Sequence, residues 1–114
     1  MKWDVKGIER GLKVVAGRIA VAAGTPSVVD GDGFTLTDVA AGKVRVTLAD
    51  PGKAILSAIG CSTEATDATA HMVKAEVESS SAVLFRVYVA DATDGALVDN
   101  VGFSFLIVAK DTRL

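Results

Sequence analysis

Few side chains in this chain of 114 residues are equipped for chemistry, and those few are loosely spaced. His71 is the single histidine. A histidine acting as general base needs a nucleophile within reach and a third group to orient it. Ser62, Thr63 and Glu64 precede it, but no Gly-x-Ser-x-Gly elbow accompanies them. Its place in an alternating stretch makes His71 a structural residue. Cys61, the single cysteine, follows the apolar run 54–60 and has no basic neighbour to favour the thiolate. It reads as a buried, inert thiol.

Two oxygen-rich stretches raise the question of a cation. Asp30-Gly31-Asp32-Gly33 begins like a calcium loop, but an EF-hand wants another oxygen-bearing side chain where Phe34 stands. A turn is the better reading. Asp91, Asp94, Asp99 and Asn100 flank Gly95 and form a candidate ligand loop for a cation or a sugar. Acidic, glycine-containing loops are ordinarily just solvated. Only 5% of residues are aromatic, so the exposed rings on which sugars stack are scarce. The chain contains no Walker loop, dinucleotide fingerprint, zinc-spaced Cys or His pair, or basic–aromatic stripe. No cofactor, no metal and no enzymatic activity are expected.

What must position these residues is a set of short strands. In 43–48, Val44, Val46 and Leu48 alternate with Lys43, Arg45 and Thr47. Strand side chains point to opposite faces with period two, so this is a half-buried strand. The same logic places strands near 14–22, 33–38, 43–49, 53–61, 70–78, 82–90 and 101–110. Gly24-Thr25-Pro26-Ser27, Asp30 to Gly33, Ala41-Gly42, Asp50-Pro51-Gly52, Ser79-Ser80-Ser81 and Asp91 to Asn100 punctuate them. About seven short strands with turns at this spacing make the chain all-β, an antiparallel, jelly-roll-like β-sandwich.

Two strands specify their faces. In 70–78, His71, Val73, Ala75 and Val77 oppose Met72, Lys74, Glu76 and Glu78. In 82–90, Val83, Phe85, Val87 and Val89 oppose Leu84, Arg86, Tyr88 and Ala90. The closing strand differs, because Phe103, Phe105, Ile107 and Ala109 form one apolar face while Leu106 and Val108 make the other apolar too. A sheet with one wet face should not show that. A neighbouring subunit is the expected cover.

Composition narrows the setting. Half of the residues are hydrophobic and the mean hydropathy is +0.41, high for a soluble chain of this length. No apolar run approaches the ~18 residues that span a bilayer. Arg18 interrupts the nearest candidate, 14–23, and Asp4 and Glu9 spoil a secretory leader. One cysteine excludes an internal disulfide framework and fits synthesis in a reducing cytoplasm. The net charge of −2 argues against nucleic acid as a partner. Residues 1–18 hold five cations against two anions, so +3 there leaves −5 for the remainder.

Residues 1–13 read as an N-terminal arm, extended or briefly helical, preceding the sandwich domain of 14–114, with Trp3 as its anchor. Val5, Ile8, Leu12 and Val15 are spaced for an apolar helical stripe, but Gly7 and Gly11 each weaken a helix by about 1 kcal/mol.

The segments Gly17-Arg18-Ile19-Ala20, Gly24, Val28 to Thr37, and Gly42 to Leu48 together resemble small β-sandwich modules of tailed bacteriophages. Those modules pair a glycine-spaced strand with a G-x-G-F-x-V element, a short turn and a G-x-Y-x-I-x-F strand. Phe103-Ser104-Phe105-Leu106-Ile107-Val108 matches their closing F-x-F strand. The third-strand aromatic positions are Val44 and Leu48 here, and the usual proline-rich segment is reduced to Asp50-Pro51-Gly52. Capsid decoration proteins, head fibres and tail-fibre knobs are built from such modules, commonly as trimers.

The resemblance implies a virion structural protein, made in the host cytoplasm and located on the capsid surface. With no collagen-like, coiled-coil or repeating shaft, the chain is expected to be a free-standing decoration (cement) subunit. Its partners would be the major capsid protein and further copies of itself, with no membrane partner. Lys2, Lys6 and Arg10 would face acidic capsid surface, with Trp3, Ile8 and Leu12 as apolar anchors. Leu106 and Val108 would pack at the trimer axis. The alternative is a receptor- or carbohydrate-binding knob that uses Asp91, Asp94, Asp99 and Asn100.

Overall fold

The computed structural model describes residues 11–49, 53–63, 71–89, 97–98 and 101–111. All regular structure among them is strand: β1 (Leu12–Ala22), β2 (Thr25–Asp30), β3 (Phe34–Ala40), β4 (Lys43–Leu48), β5 (Lys53–Ser62), β6 (His71–Val77), β7 (Ala82–Val89) and β8 (Phe103–Asp111). They form two four-stranded antiparallel sheets, sheet A in the order β2-β1-β8-β5 and sheet B in the order β3-β4-β7-β6. The expected all-β sandwich is what the chain builds.

Eight strands stand where about seven are expected, and β2 is the addition. Its opening residues Thr25, Pro26 and Ser27 are turn formers by type, yet they pair with Ala22, Val21 and Ala20 of β1. Proline is tolerated there because β2 is an edge strand, where a missing N–H breaks no second ladder. The turn shrinks to Ala23-Gly24, both at positive φ.

β1 also begins earlier than expected. Leu12 and Lys13, assigned to the arm, already pair with Lys110 and Ala109 of β8. Of the two readings of this segment, extended or briefly helical, Leu12 and Lys13 take the extended one, and the odd separation of Leu12 and Val15 sends their side chains to opposite faces.

Between the sheets lie the inward residues of the alternating strands. Val44, Val46, Leu48, Val83, Phe85, Val87, Phe103, Phe105, Ile107 and Ala109 are all buried. Burying one such large side chain contributes about 1.5–3 kcal/mol, so this layer supplies most of the drive to fold. Phe85 touches Phe103 and Phe105 with ring centroids 5.2 and 5.3 Å apart, and Phe34 meets Phe105 edge to face at 5.0 Å. β1 clears space for this cluster at Gly17, where a Cβ would lie 2.6 Å from Phe34 Cζ and 2.8 Å from Phe105.

The two sheets have unlike outer faces. On sheet B, Lys43, Arg45, Lys74, Glu76 and Arg86 project outward, as the alternation requires. Leu84 shares that face but is buried. Its cross-strand neighbours are Arg45 and Glu76, long side chains whose stems cover apolar surface while their charges stay wet.

Candidate interaction face

Sheet A turns a different surface outward. β8 runs between β1 and β5, and its register sets Leu106 between Ala16 and Ile59 in one row. The next row holds Val14, Val108 and Ser57. None of these six side chains carries a charge, and Ile59 is 61% exposed and Leu106 37%. Leu56, 55% exposed, adds to the edge of the patch. Charges stand at its two ends. Arg18 pairs in register with Asp30 at one, and Lys110 lies opposite Leu12 at the other.

Two of the expected interface residues, Leu106 and Val108, thus lie at the centre of a contiguous apolar face. Leu12 joins them, but as a half-buried strand residue on that same face. Lys2, Trp3, Lys6, Ile8 and Arg10 lie outside the described residues, as do Asp91, Asp94, Asp99 and Asn100.

Ile59 and Leu56 were not anticipated from the sequence. The run 53–61 is apolar at nearly every position, so its alternation does not mark a face. A register shift between Ile55 and Ser57 then inserts one residue and flips the alternation. Ile55 and Ala58 pack on the core, whereas Ile59 points away from it. The shift also corrects the reading of Cys61. This thiol is exposed on the outer face, with Sγ 3.1 Å from Ser104 Oγ. The signal available beforehand was that 53–61, like 101–110, is apolar on both sides.

The other chemistry-bearing residues are dispersed. His71 is half-buried at the start of β6, opposite Val89. Asp30 accepts a 2.8 Å hydrogen bond from the Gly31 N–H, which gives its carboxylate a turn-stabilising role. The gap between the sheets near Val21, Val44, Val87, Val98 and Phe103 has Asp38 as the one ionisable residue of its described lining. No group of three or more potential metal ligands occurs among the described residues.

The polar face of sheet B is organised by ion pairs. Arg45 donates to Glu78 from Nε at 2.7 Å and from Nη2 at 3.3 Å, and Arg86 pairs with Glu76. The hydrogen bond from Arg45 holds the Glu78 carboxyl below its ordinary value of 4.5. A depressed carboxyl pKa stabilises the fold above the unfolded value, and that contribution disappears as pH falls through the folded one. Glu78→Gln is therefore expected to melt slightly below the wild type at neutral pH, with the gap closing in acid. Thermal unfolding of both proteins from neutral to acidic pH checks this. A gap that widened in acid would contradict the pairing. The effect is small because both partners are solvated.

No family model, curated protein or solved structure matches this chain.

Proposed function

We propose that this chain is a non-catalytic structural subunit of a phage virion, a decoration protein that assembles on the outside of the head. The observation that supports this reading best is the uncharged outer face of sheet A around Leu106, set against the charged outer face of sheet B. An assembling subunit needs one surface that prefers protein to water and another that stays wet. Contiguous apolar patches exposed on a sheet commonly mark contacts with other proteins.

The contact with the head itself rests on the sequence alone. Lys2, Lys6 and Arg10 suit an acidic capsid surface, while Trp3 and Ile8 suit an apolar anchor. Many copies bound at once would reinforce the shell through multivalency, even where each contact is modest.

Co-sedimentation of the purified chain with phage heads stripped of their decoration tests this. The full chain is expected to pellet with the heads and to raise their temperature of disruption. Removal of residues 1–10 is expected to abolish both effects while the sandwich stays folded by circular dichroism. A full chain left in the supernatant would refute head binding. Undiminished binding by the truncated chain would refute the role of the arm.

A further inference from the structure

We propose that the outer face of sheet A is covered by the same face of a second copy, packed sheet to sheet about a two-fold axis. This rests on the assembling-subunit reading above and names the subunit's first partner. The uncharged rows Ala16–Leu106–Ile59 and Val14–Val108–Ser57 form the centre of the contact.

Charge favours self-association over a charged partner. Arg18 and Asp30 stand together at one end of the face and Lys110 at the other, so the centre offers no ionic complement to a strongly charged surface. Two copies brought face to face place no like charges at the middle of the contact. The chain's own first ten residues are a poor cover, since Lys2, Asp4, Lys6, Glu9 and Arg10 make half of them charged. Laying them across an apolar sheet would desolvate several ions.

Shape and area point the same way. Ala16, Ser57 and Ser104 are small, so the face is flat enough for another sheet to approach to ~10 Å, with Ile59, Leu106 and Val108 filling the space between. Three strands, β1, β8 and β5, at ~4.8 Å spacing, over the eight paired residues from Leu12 to Ile19, give a face of roughly 400 Å² in projection. Side-chain relief raises the accessible area toward the ~600–1,000 Å² per partner of stable dimers. A two-fold contact sets one patch against its copy and closes on itself. A flat, self-complementary face thus favours a pair over the trimer that the phage resemblance implies.

Sedimentation equilibrium of the full chain tests the pairing. The wild type is expected to be a dimer at concentrations on the order of 10 µM. Leu106→Asp and Ile59→Asp are each expected to weaken dimerisation at least about 100-fold. Met72→Asp, on the outer face of sheet B, is expected to leave it unchanged. Should an aspartate variant fail to fold, Leu106→Ser and Ile59→Ser serve in its place, with circular dichroism confirming the fold.

A monomeric wild type, or a dimer indifferent to the Leu106 and Ile59 variants, would overturn the proposal. So would a trimer, or a monomer that dimerises only after removal of residues 1–10. Head binding reports separately. A monomer or trimer that still decorates heads defeats the pairing alone, whereas a dimer that ignores heads defeats the decoration reading alone.

Discussion

Replacing Phe85 by alanine is expected to cost about 3–5 kcal/mol, the range for truncating a fully enclosed aromatic ring. Phe85 has no exposed surface and lies against both Phe103 and Phe105. Two terms add in such a truncation: the lost transfer energy of the ring, and the cavity left when its neighbours relax only partly. Relaxation is restricted here. Across β7, Phe85 pairs with Val44 on one side and Ala75 on the other, within continuous ladders. From the opposite sheet, a Cβ on Gly60 would lie 3.3 Å from the ring, so β5 is already close.

A domain of this size is stable by only ~5–15 kcal/mol, so Phe85→Ala removes much of its margin. Urea unfolding measures the loss, and Phe85→Leu supplies a milder variant that stays folded. Met72→Ala, at a site 53% exposed, is the control and should fall within about 0.5 kcal/mol of the wild type. A Phe85→Ala cost near that of the control would mean the ring is not at the centre of the core.

The inward residues of β4, β6 and β7 were legible because each of these strands alternates with a period of two, and those of β8 because its two phenylalanines share one face. Phe103, Phe105, Ile107 and Ala109 are buried as the pattern requires, and Val44, Val46 and Leu48 meet them from the other sheet. β2 was hidden by residue type, since Thr25, Pro26 and Ser27 favour turns wherever pairing does not override them. The face of β5 was hidden for another reason. A one-residue register shift near Leu56 leaves no compositional trace in a run that is apolar at nearly every position, yet it decides that Ile59 and Cys61 point outward.

The interaction face was half visible for the same reason. Leu106 and Val108 stood out as apolar residues on the wrong side of β8. Their neighbours could not be named until the strand order placed β1 and β5 on either side of β8. Alternation reports which way a side chain points, whereas adjacency across strands is a property of topology.

Gly31→Ala is expected to destabilise the protein by about 2–4 kcal/mol, through strain and collision together. Asp30 to Gly33 carries the chain from β2 in sheet A to β3 in sheet B. Gly31 takes φ +110° at this corner, a conformation that L side chains rarely adopt. A Cβ there would also fall 2.5 Å from the Ala16 carbonyl oxygen and 2.9 Å from Gly17 Cα. Both obstacles are backbone of β1, so no rotamer change relieves them. Displacing β1 would in turn disturb the seat that Gly17 provides for Phe34 and Phe105.

Gly33 separates the two causes within the same corner. Its φ is also positive, +85°, but nothing lies within 4 Å of a Cβ built there. Gly33→Ala should therefore carry the conformational penalty alone, about 1–2 kcal/mol. Urea unfolding of the two alanine variants measures the difference between them. Equal losses would show that the corner tolerates a methyl group against β1, and that the close approach of the two strands is not what requires glycine at position 31.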